Sequence, residues 1–186
     1  RTYSRRANVT QWRNADGPRA ASARGVKQRV KIALYQPDIA ANVGAIMRLG
    51  ACLNVAVEVI EPCGFPFDMR QIRRVALDYI EHVDLRRHIS WEAFLSTHRG
   101  QSGRLILLST EGTARYDKSA FYPDDTLLLG RESAGVPPEV RAAADDCVTV
   151  PMAANMRSLN VASACAMVLG EALRQTDLLP GDRHER

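Results

Sequence analysis

Two short segments of the chain gather the residue types that chemistry needs. The first is Gly130-Arg-Glu-Ser-Ala-Gly135, followed by Val136-Pro137. The second is Val150-Pro-Met-Ala-Ala-Asn-Met-Arg-Ser-Leu-Asn160. Each follows a short apolar run, Thr126–Leu129 and Cys147–Val150, which places both at the ends of strands. The first resembles several phosphate or nucleophile loops and matches none of them. A P-loop needs Lys-Ser/Thr after its second glycine, where Val136-Pro137 stands. A dinucleotide fingerprint needs Gly-x-Gly, and residue 132 is Glu. A nucleophile elbow needs glycines on both sides of its serine, and Ser133 has Arg131 two residues before it. What remains is a turn whose glycines permit close backbone approach to a ligand, with Glu132 as the ionisable acceptor. Taken alone, the turn equally fits a tight strand–helix connection with a solvated Glu132. The second segment crowds Asn155, Arg157, Ser158 and Asn160 at the start of a helix, which suits polar ligand groups. Plain capping by Ser158 or Asn155 accounts for part of that cluster and not the whole.

The rest of the chain narrows the field. Cys52, Cys63, Cys147 and Cys165 show no metal-ligand spacing and read as small buried hydrophobes in a reducing cytoplasm. His82, His88, His98 and His184 form no helical pair, so no metal site is expected. No apolar run is long enough to span a bilayer, and the arginine-rich start lacks a secretory signal's apolar core. The net charge of +4 is unevenly spread. Residues 1–29 hold eight of the 25 Lys/Arg and one of the 21 Asp/Glu, leaving 17 against 20 for the remainder. The body is therefore slightly acidic, and a sequence pI near 9.1 does not by itself mark a nucleic-acid-binding domain. Residues 1–29 read as a basic, flexible extension, residues 30–180 as one domain and residues 181–186 as a tail.

The body must supply the elements that position the two loops. Val30–Tyr35 reads as a strand ended by Pro37, and Asn42 and Gly44 open a helix through Leu49. Val55–Ile60 is a second strand, Arg70–Tyr79 a helix and Trp91–Ser96 a short helix. Arg104–Ser109 and Thr126–Leu129 are strands, and Pro137-Pro138 starts a helix through Ala144. Cys147–Val150 is the last strand before a long helix, Leu159 to Thr176. Strands alternate with helices, and several strands are apolar without a period of two. That pattern predicts an α/β fold, a mainly parallel sheet with helices on both faces. Ligands of such sheets bind beyond the carboxyl ends of the strands.

Three segments together carry a family resemblance: Asn42-Val-Gly44 with Arg48, Gly130-Arg-Glu132 with Gly135-Val-Pro137, and Val150-Pro-Met152 with Arg157-Ser-Leu-Asn160. In this order and spacing they resemble the three motifs of the SPOUT-class, TrmH-like RNA 2′-O-methyltransferases. Ile60-Glu61-Pro62, Gly64-Phe65, Arg73-Arg74 and Leu77-Asp78-Tyr79 add a likeness to the subfamily that modifies cytidine or uridine 34, the anticodon wobble nucleotide of tRNA. The resemblance spans about residues 30–178. It implies a C-terminal deep trefoil knot, S-adenosylmethionine as cofactor, a tRNA substrate, a homodimer and a cytoplasmic setting. By position it assigns cofactor contacts to Leu108, Gly130 and Val150, largely through backbone, and to Ser158. It assigns the catalytic set to Arg48, Asn42, Glu132, Ser158 and Asn160.

Arg48 is the family position linked to the reacting hydroxyl. A guanidinium stays protonated at ordinary pH, so hydrogen bonding to the hydroxyl or its phosphate, stabilising the developing oxyanion, is the more economical role. Asn42 would orient Arg48 or the ribose, or else cap its helix. Glu132 would hold Arg48 or the loop. The sulfonium supplies the electrophile, so this chemistry asks for no metal. Arg70, Arg73, Arg74 and Arg157, with Arg86 and Arg87, are the candidate RNA-phosphate contacts; a solvated helix face is the plainer reading of the cluster. Arg131 stands where the subfamily has proline, Ala134 where it has arginine, Ala40-Ala41 where it approaches Asn42 through proline, and Ala45 where it has asparagine. Modification of another tRNA or rRNA site, a non-catalytic RNA-binding module of the same fold, and an unrelated hydrolase centred on Ser133 are the competing readings. The closing helix is apolar nearly all round, which predicts a subunit interface in addition to sheet packing.

Overall fold

The computed structural model describes residues 29–67, 79 and 81–181. Within them the chain runs β1 (Lys31–Tyr35), α1 (Ala40–Leu53), β2 (Ala56–Ile60), β3 (Leu85–His88) and α2 (Trp91–Arg99). It continues through β4 (Leu105–Leu108), β5 (Ala114–Arg115), a 3-10 turn (Tyr116–Lys118), β6 (Thr126–Leu129), α3 (Pro138–Ala142), β7 (Asp146–Thr149) and α4 (Val161–Gln175). The seven strands form one sheet in the order β3-β2-β1-β6-β4-β7-β5, and every strand pair is parallel. The expected α/β class and parallel sheet are present. The expected helix at Arg70–Tyr79 lies, apart from Tyr79, outside the described residues, as do residues 1–28 and 182–186.

The pleat sorts the strand residues into two cores. Ile32, Leu34, Ile106, Leu127 and Leu129 face α1 and α4, meeting Ile46, Met47, Val168, Leu169 and Leu173. Ala33, Leu105, Leu107 and Leu128 face the other way, against Trp91 and Phe94 of α2 and Val140 of α3. The central strands are thus buried on both faces, which is why they read as apolar runs. β1 and α1 are joined by a tight corner, and α1 stops at Asn54, whose left-handed φ of 55° turns the chain back into β2. Gly50 lets α1 close on β2, since a Cβ there would lie 2.7 Å from Val57 Cγ2 and 2.8 Å from the Val55 carbonyl oxygen.

Several local expectations change. β3 and β5 went unforeseen, β3 because Leu85-Arg-Arg-His is a polar edge strand. Arg86 pairs with Asp84 at 3.0 Å, and Arg87 Nε donates to Glu61 at 2.7 Å while its guanidinium covers the Phe67 ring at 4.4 Å. These two arginines are already engaged by the protein. α4 is capped by Asn160, whose Oδ1 accepts from Ala162 N–H and Ser163 N–H, and not by Ser158 or Asn155. The cysteines are only partly the buried hydrophobes expected: Cys165 is buried, Cys63 and Cys147 are half-buried, and Cys52 is exposed. α4 buries Cys165, Val168, Leu169, Ala172 and Leu173 and leaves Met167 exposed.

At the β2–β3 edge, Glu58 and His88 are 3% and 1% exposed and hydrogen-bonded at 2.8 Å between Oε2 and Nε2. Burial pushes the Glu58 carboxyl up, but the His88 hydrogen bond and charge and nearby Arg86 outweigh it and hold the pKa below its ordinary value. A carboxyl depressed on folding contributes stability above its unfolded pKa of about 4.3, and that stability is lost as pH falls through the folded value. Glu58→Gln is expected to cost about 1–3 kcal/mol at pH 7 by leaving a buried partner poorly satisfied. Urea unfolding should show that deficit shrinking as pH falls below about 4.3, where the unfolded chain takes up its proton first, and levelling off only below the folded value, where Glu58 is neutral in both states. A deficit independent of pH would contradict this role.

Candidate active site

The carboxyl ends of β1, β6, β4 and β7 surround a cavity of about 400 Å³, within the usual range for small-molecule sites. Its inner wall is apolar, built from Leu107, Leu108, Leu129, Val148 and Val150. The parallel register sets Leu108 beside Leu129 and Val148, so these strands end level and their following residues form one rim. The polar side of the cavity holds Asn42, Glu132, Ser158 and Asn160.

The β6–α3 loop is a closed turn. Arg131 and Gly135 exchange N–H to carbonyl hydrogen bonds, both 2.9 Å. A Cβ on Gly130 would lie 2.7 Å from the Gly135 carbonyl carbon, and Gly135 adopts φ +64°. Both glycines are therefore required, the first by contact and the second by conformation. Asp38, just after β1, ties the loop down: its carboxylate accepts from Ser133 N–H at 3.1 Å and from the Ser133 hydroxyl, with Arg131 Nη2 at 3.4 Å. The Ser133 hydroxyl above all, then its N–H and the Arg131 charge, hold the Asp38 carboxyl below its ordinary range despite some desolvation. Ser133 is thus a clasp donor to a carboxylate, and among the described residues its hydroxyl is bonded to Asp38 and to no histidine, which gives the hydrolase reading no support.

Glu132 accepts at both oxygens, from Asp38 N–H at 2.8 Å and from Asn42 Nδ2 at 3.0 Å. Asn42 Oδ1 in turn accepts from Asn160 Nδ2 at 2.9 Å. One hydrogen-bonded chain therefore spans three strand-end segments and lines the cavity. Of the two roles expected for Glu132, it holds the loop, and Asn42 engages Glu132 and Asn160 instead of Arg48. Asn42 is not the cap of α1 either, since the cap position is Ile39 without a side-chain hydrogen bond.

Seven of the expected site residues meet around this cavity: Asn42, Leu108, Gly130, Glu132, Val150, Ser158 and Asn160. Arg48 is not among its lining residues. It lies six residues beyond Asn42 on α1, about 9 Å along the axis and on a different face, exposed and stacked over the Tyr79 ring at 4.7 Å. Arg157 is exposed in the β7–α4 loop and does not line the cavity. Arg70, Arg73 and Arg74 lie outside the described residues. Sequence reasoning missed Asp38, Ile39, Ser109 and Met152, of which all but Asp38 line the cavity; Asp38 and Ser109 each follow a strand end, which was the available signal. Among the described residues no group of three His, Cys, Asp or Glu side chains is placed to hold a metal ion, and no described helix is long and apolar enough to cross a membrane.

Comparison with known proteins gives the family. The chain is 53% identical over 148 residues to a tRNA (cytidine(34)-2'-O)-methyltransferase of Beijerinckia indica, covering 80% of this chain and 92% of that protein. It is 47% identical to the protein of the same name from Ancylobacter novellus, covering 78% and 92%. A solved structure described as giving structural insights into the 2-OH methylation of C/U34 on tRNA superposes with a TM-score of 0.74 at 38% identity, covering 81% of this chain and 97% of that one. The model of the family described as SpoU rRNA Methylase matches residues 29–170, and the chain belongs to that family.

Proposed function

We propose that this protein 2′-O-methylates the ribose of tRNA nucleotide 34, cytidine or uridine, using S-adenosylmethionine. The observation that carries the reading is the cavity beyond the strand ends, apolar within and edged by the Asn160–Asn42–Glu132 chain, in a chain similar to wobble-nucleotide methyltransferases along most of its length. The cavity fits an adenosyl group by volume and by its apolar wall with polar atoms on one side. Leu108, Gly130 and Val150 would hold the group through strand-end backbone, with Ser158 beside it. When bound, S-adenosylmethionine supplies an electrophilic methyl carbon.

The chain's own residues do the rest. Asn42 and Asn160 orient the ribose entering the cavity, and Glu132, with both oxygens already occupied by N–H donors, fixes Asn42 and the β6 loop. Arg48 and Arg157, exposed outside the cavity, face RNA; Arg48 stabilises the charge that develops on the ribose oxygen as its proton passes to solvent water. Arg70, Arg73 and Arg74 are assigned, on the family resemblance, to phosphate contacts. Catalysis is assigned to one domain, residues 30–180, between the basic segment 1–29 and the tail 181–186, working in the cytoplasm where its tRNA is found. A C-terminal trefoil knot is part of the same reading, supported by the position of β7 inside the sheet between β4 and β5.

The test is methyl transfer to unmodified tRNA with the product nucleoside mapped. A 2′-O-methylated nucleotide 34 is expected; modification elsewhere, or none with cofactor bound, would overturn the assignment. A homodimer belongs to this reading, because Ile39, Met156, Leu159 and Met167 leave large apolar side chains exposed around α1 and α4. Light scattering at micromolar concentration should give a mass near twice 20.6 kDa. A monomeric mass would refute the dimer.

A further inference from the structure

Ser109 is the residue immediately after β4, and its side chain carries an unusual constraint. Its Oγ accepts two hydrogen bonds, from Glu111 N–H at 3.2 Å and from Arg141 Nη2 at 3.2 Å. Neither partner can accept in return, because a backbone N–H and a guanidinium are donors only. Both acceptor sites of the hydroxyl are therefore used, and its one proton is left to donate. Among the described residues the Ser109 hydroxyl donates to no acceptor. The residue is half-buried and lines the cavity next to Leu108.

The two clamping groups are themselves fixed. Arg141, on α3, also donates to Glu111 Oε2 at 2.7 Å and approaches Cys147 Sγ at 3.7 Å. Ser109 N–H is held by the Val148 carbonyl at 3.0 Å, and Gly112 N–H returns to the Ser109 carbonyl at 3.2 Å. A hydroxyl in solution rotates to suit its surroundings; here two donors fix the direction in which the proton can point.

We infer that Ser109 is a ligand-binding residue that donates a hydrogen bond to an acceptor atom of the cofactor's adenosine part, and that Arg141 is the positioning residue that makes it a donor. The inference rests on the adenosyl reading of the cavity and deepens it. The adenosine part is specified because Ser109 adjoins the apolar wall of Leu107, Leu108 and Val148, which suits a purine nucleoside. Charged methionyl groups are better matched by the polar side formed by Asn42, Glu132 and Asn160.

Calorimetry on the full chain tests this with two probes, S-adenosylhomocysteine and 5′-methylthioadenosine, the second lacking the amino-acid group. Ser109→Ala is expected to raise Kd about tenfold for both, the loss of one net hydrogen bond. Ser109→Thr, which keeps the hydroxyl, should restore most of the affinity. Arg141→Ala should raise Kd severalfold alone and have almost no further effect in the Ser109→Ala background, since its influence passes through the hydroxyl. A merely structural Arg141 would keep its full effect in that background, and this result would overturn its role. Unchanged affinity of Ser109→Ala, or a penalty seen with S-adenosylhomocysteine and absent with 5′-methylthioadenosine, would overturn the assignment of Ser109. Failure of the unsubstituted protein to bind either probe is a separate result, and it would bring down the adenosyl reading itself together with this inference.

Discussion

Arg48→Ala is expected to lower methyl transfer to tRNA by about 10²–10³-fold, the range seen when one oxyanion-stabilising donor is removed, while cofactor affinity stays within about twofold of the unsubstituted protein. The two halves of this expectation have different grounds. The loss of turnover follows from the role proposed for Arg48, a permanent cation whose fork of donors would meet the charge developing on the ribose oxygen. The retained affinity follows from position: Arg48 is exposed on α1 and absent from the cavity wall, whereas Asn42, one and two-thirds turns earlier, lines it. Folding should survive the change. Alanine gives up the cation that sits over the Tyr79 ring at 4.7 Å, an interaction worth about 0.5–1 kcal/mol at an exposed site. Arg48→Lys keeps the charge and loses the planar fork, so it should recover only part of the activity. Single-turnover kinetics paired with calorimetry measures both quantities on one preparation. A tenfold weakening of cofactor binding in Arg48→Ala would mean that the side chain reaches the cavity after all, and persistence of turnover would remove it from the chemistry.

The sheet and the position of the cavity were legible because they depend on local signals. Apolar runs such as Leu105–Leu108 and Thr126–Leu129 need burial on both faces, and a parallel sheet gathers its ligands at the carboxyl ends. Hence the loops after Leu129 and Val150 could be singled out from strand ends alone, whereas Leu108, Gly130 and Val150 were named as walls only through the family resemblance. What failed to show was whatever depends on partners distant in sequence. Asn155, Ser158 and Asn160 are all competent helix caps; Asn160 takes the position while its Nδ2 also reaches Asn42, 118 residues earlier. Asn42 and Arg48 share a helix and a motif, yet rotation along α1 sends one into the cavity and the other outward. β3 was hidden because an edge strand can hold two arginines when Asp84 and Glu61 neutralise them. Asp38 was hidden because its role, clasping Ser133 across 95 residues, has no local signature.

The β6 loop allows the sharpest test of the cofactor wall, because its two glycines are required for different reasons. Gly130→Ala places a Cβ 2.7 Å from the Gly135 carbonyl carbon and 2.9 Å from both its Cα and its oxygen. These are backbone atoms and cannot rotate aside, so the turn closed by the Arg131–Gly135 hydrogen bonds must open or shift. Glu132 travels with it, and Glu132 holds both Asp38 N–H and Asn42. A displacement of about 1 Å in such a positioning group can cost on the order of 10²-fold in rate. Gly130→Ala is therefore expected to lower kcat/KM by about that factor and to raise the Kd for S-adenosylmethionine at least tenfold. Gly135→Ala provides the contrast. Its added Cβ meets nothing within 4 Å, and only the φ of +64° opposes it, at a cost of about 1–2 kcal/mol in stability. Thermal unfolding should show both variants weakened, but calorimetry should show cofactor affinity lost in Gly130→Ala and nearly kept in Gly135→Ala. Equal affinities in the two variants would mean that the strand-end backbone at residue 130 does not form the wall on which the cofactor lies.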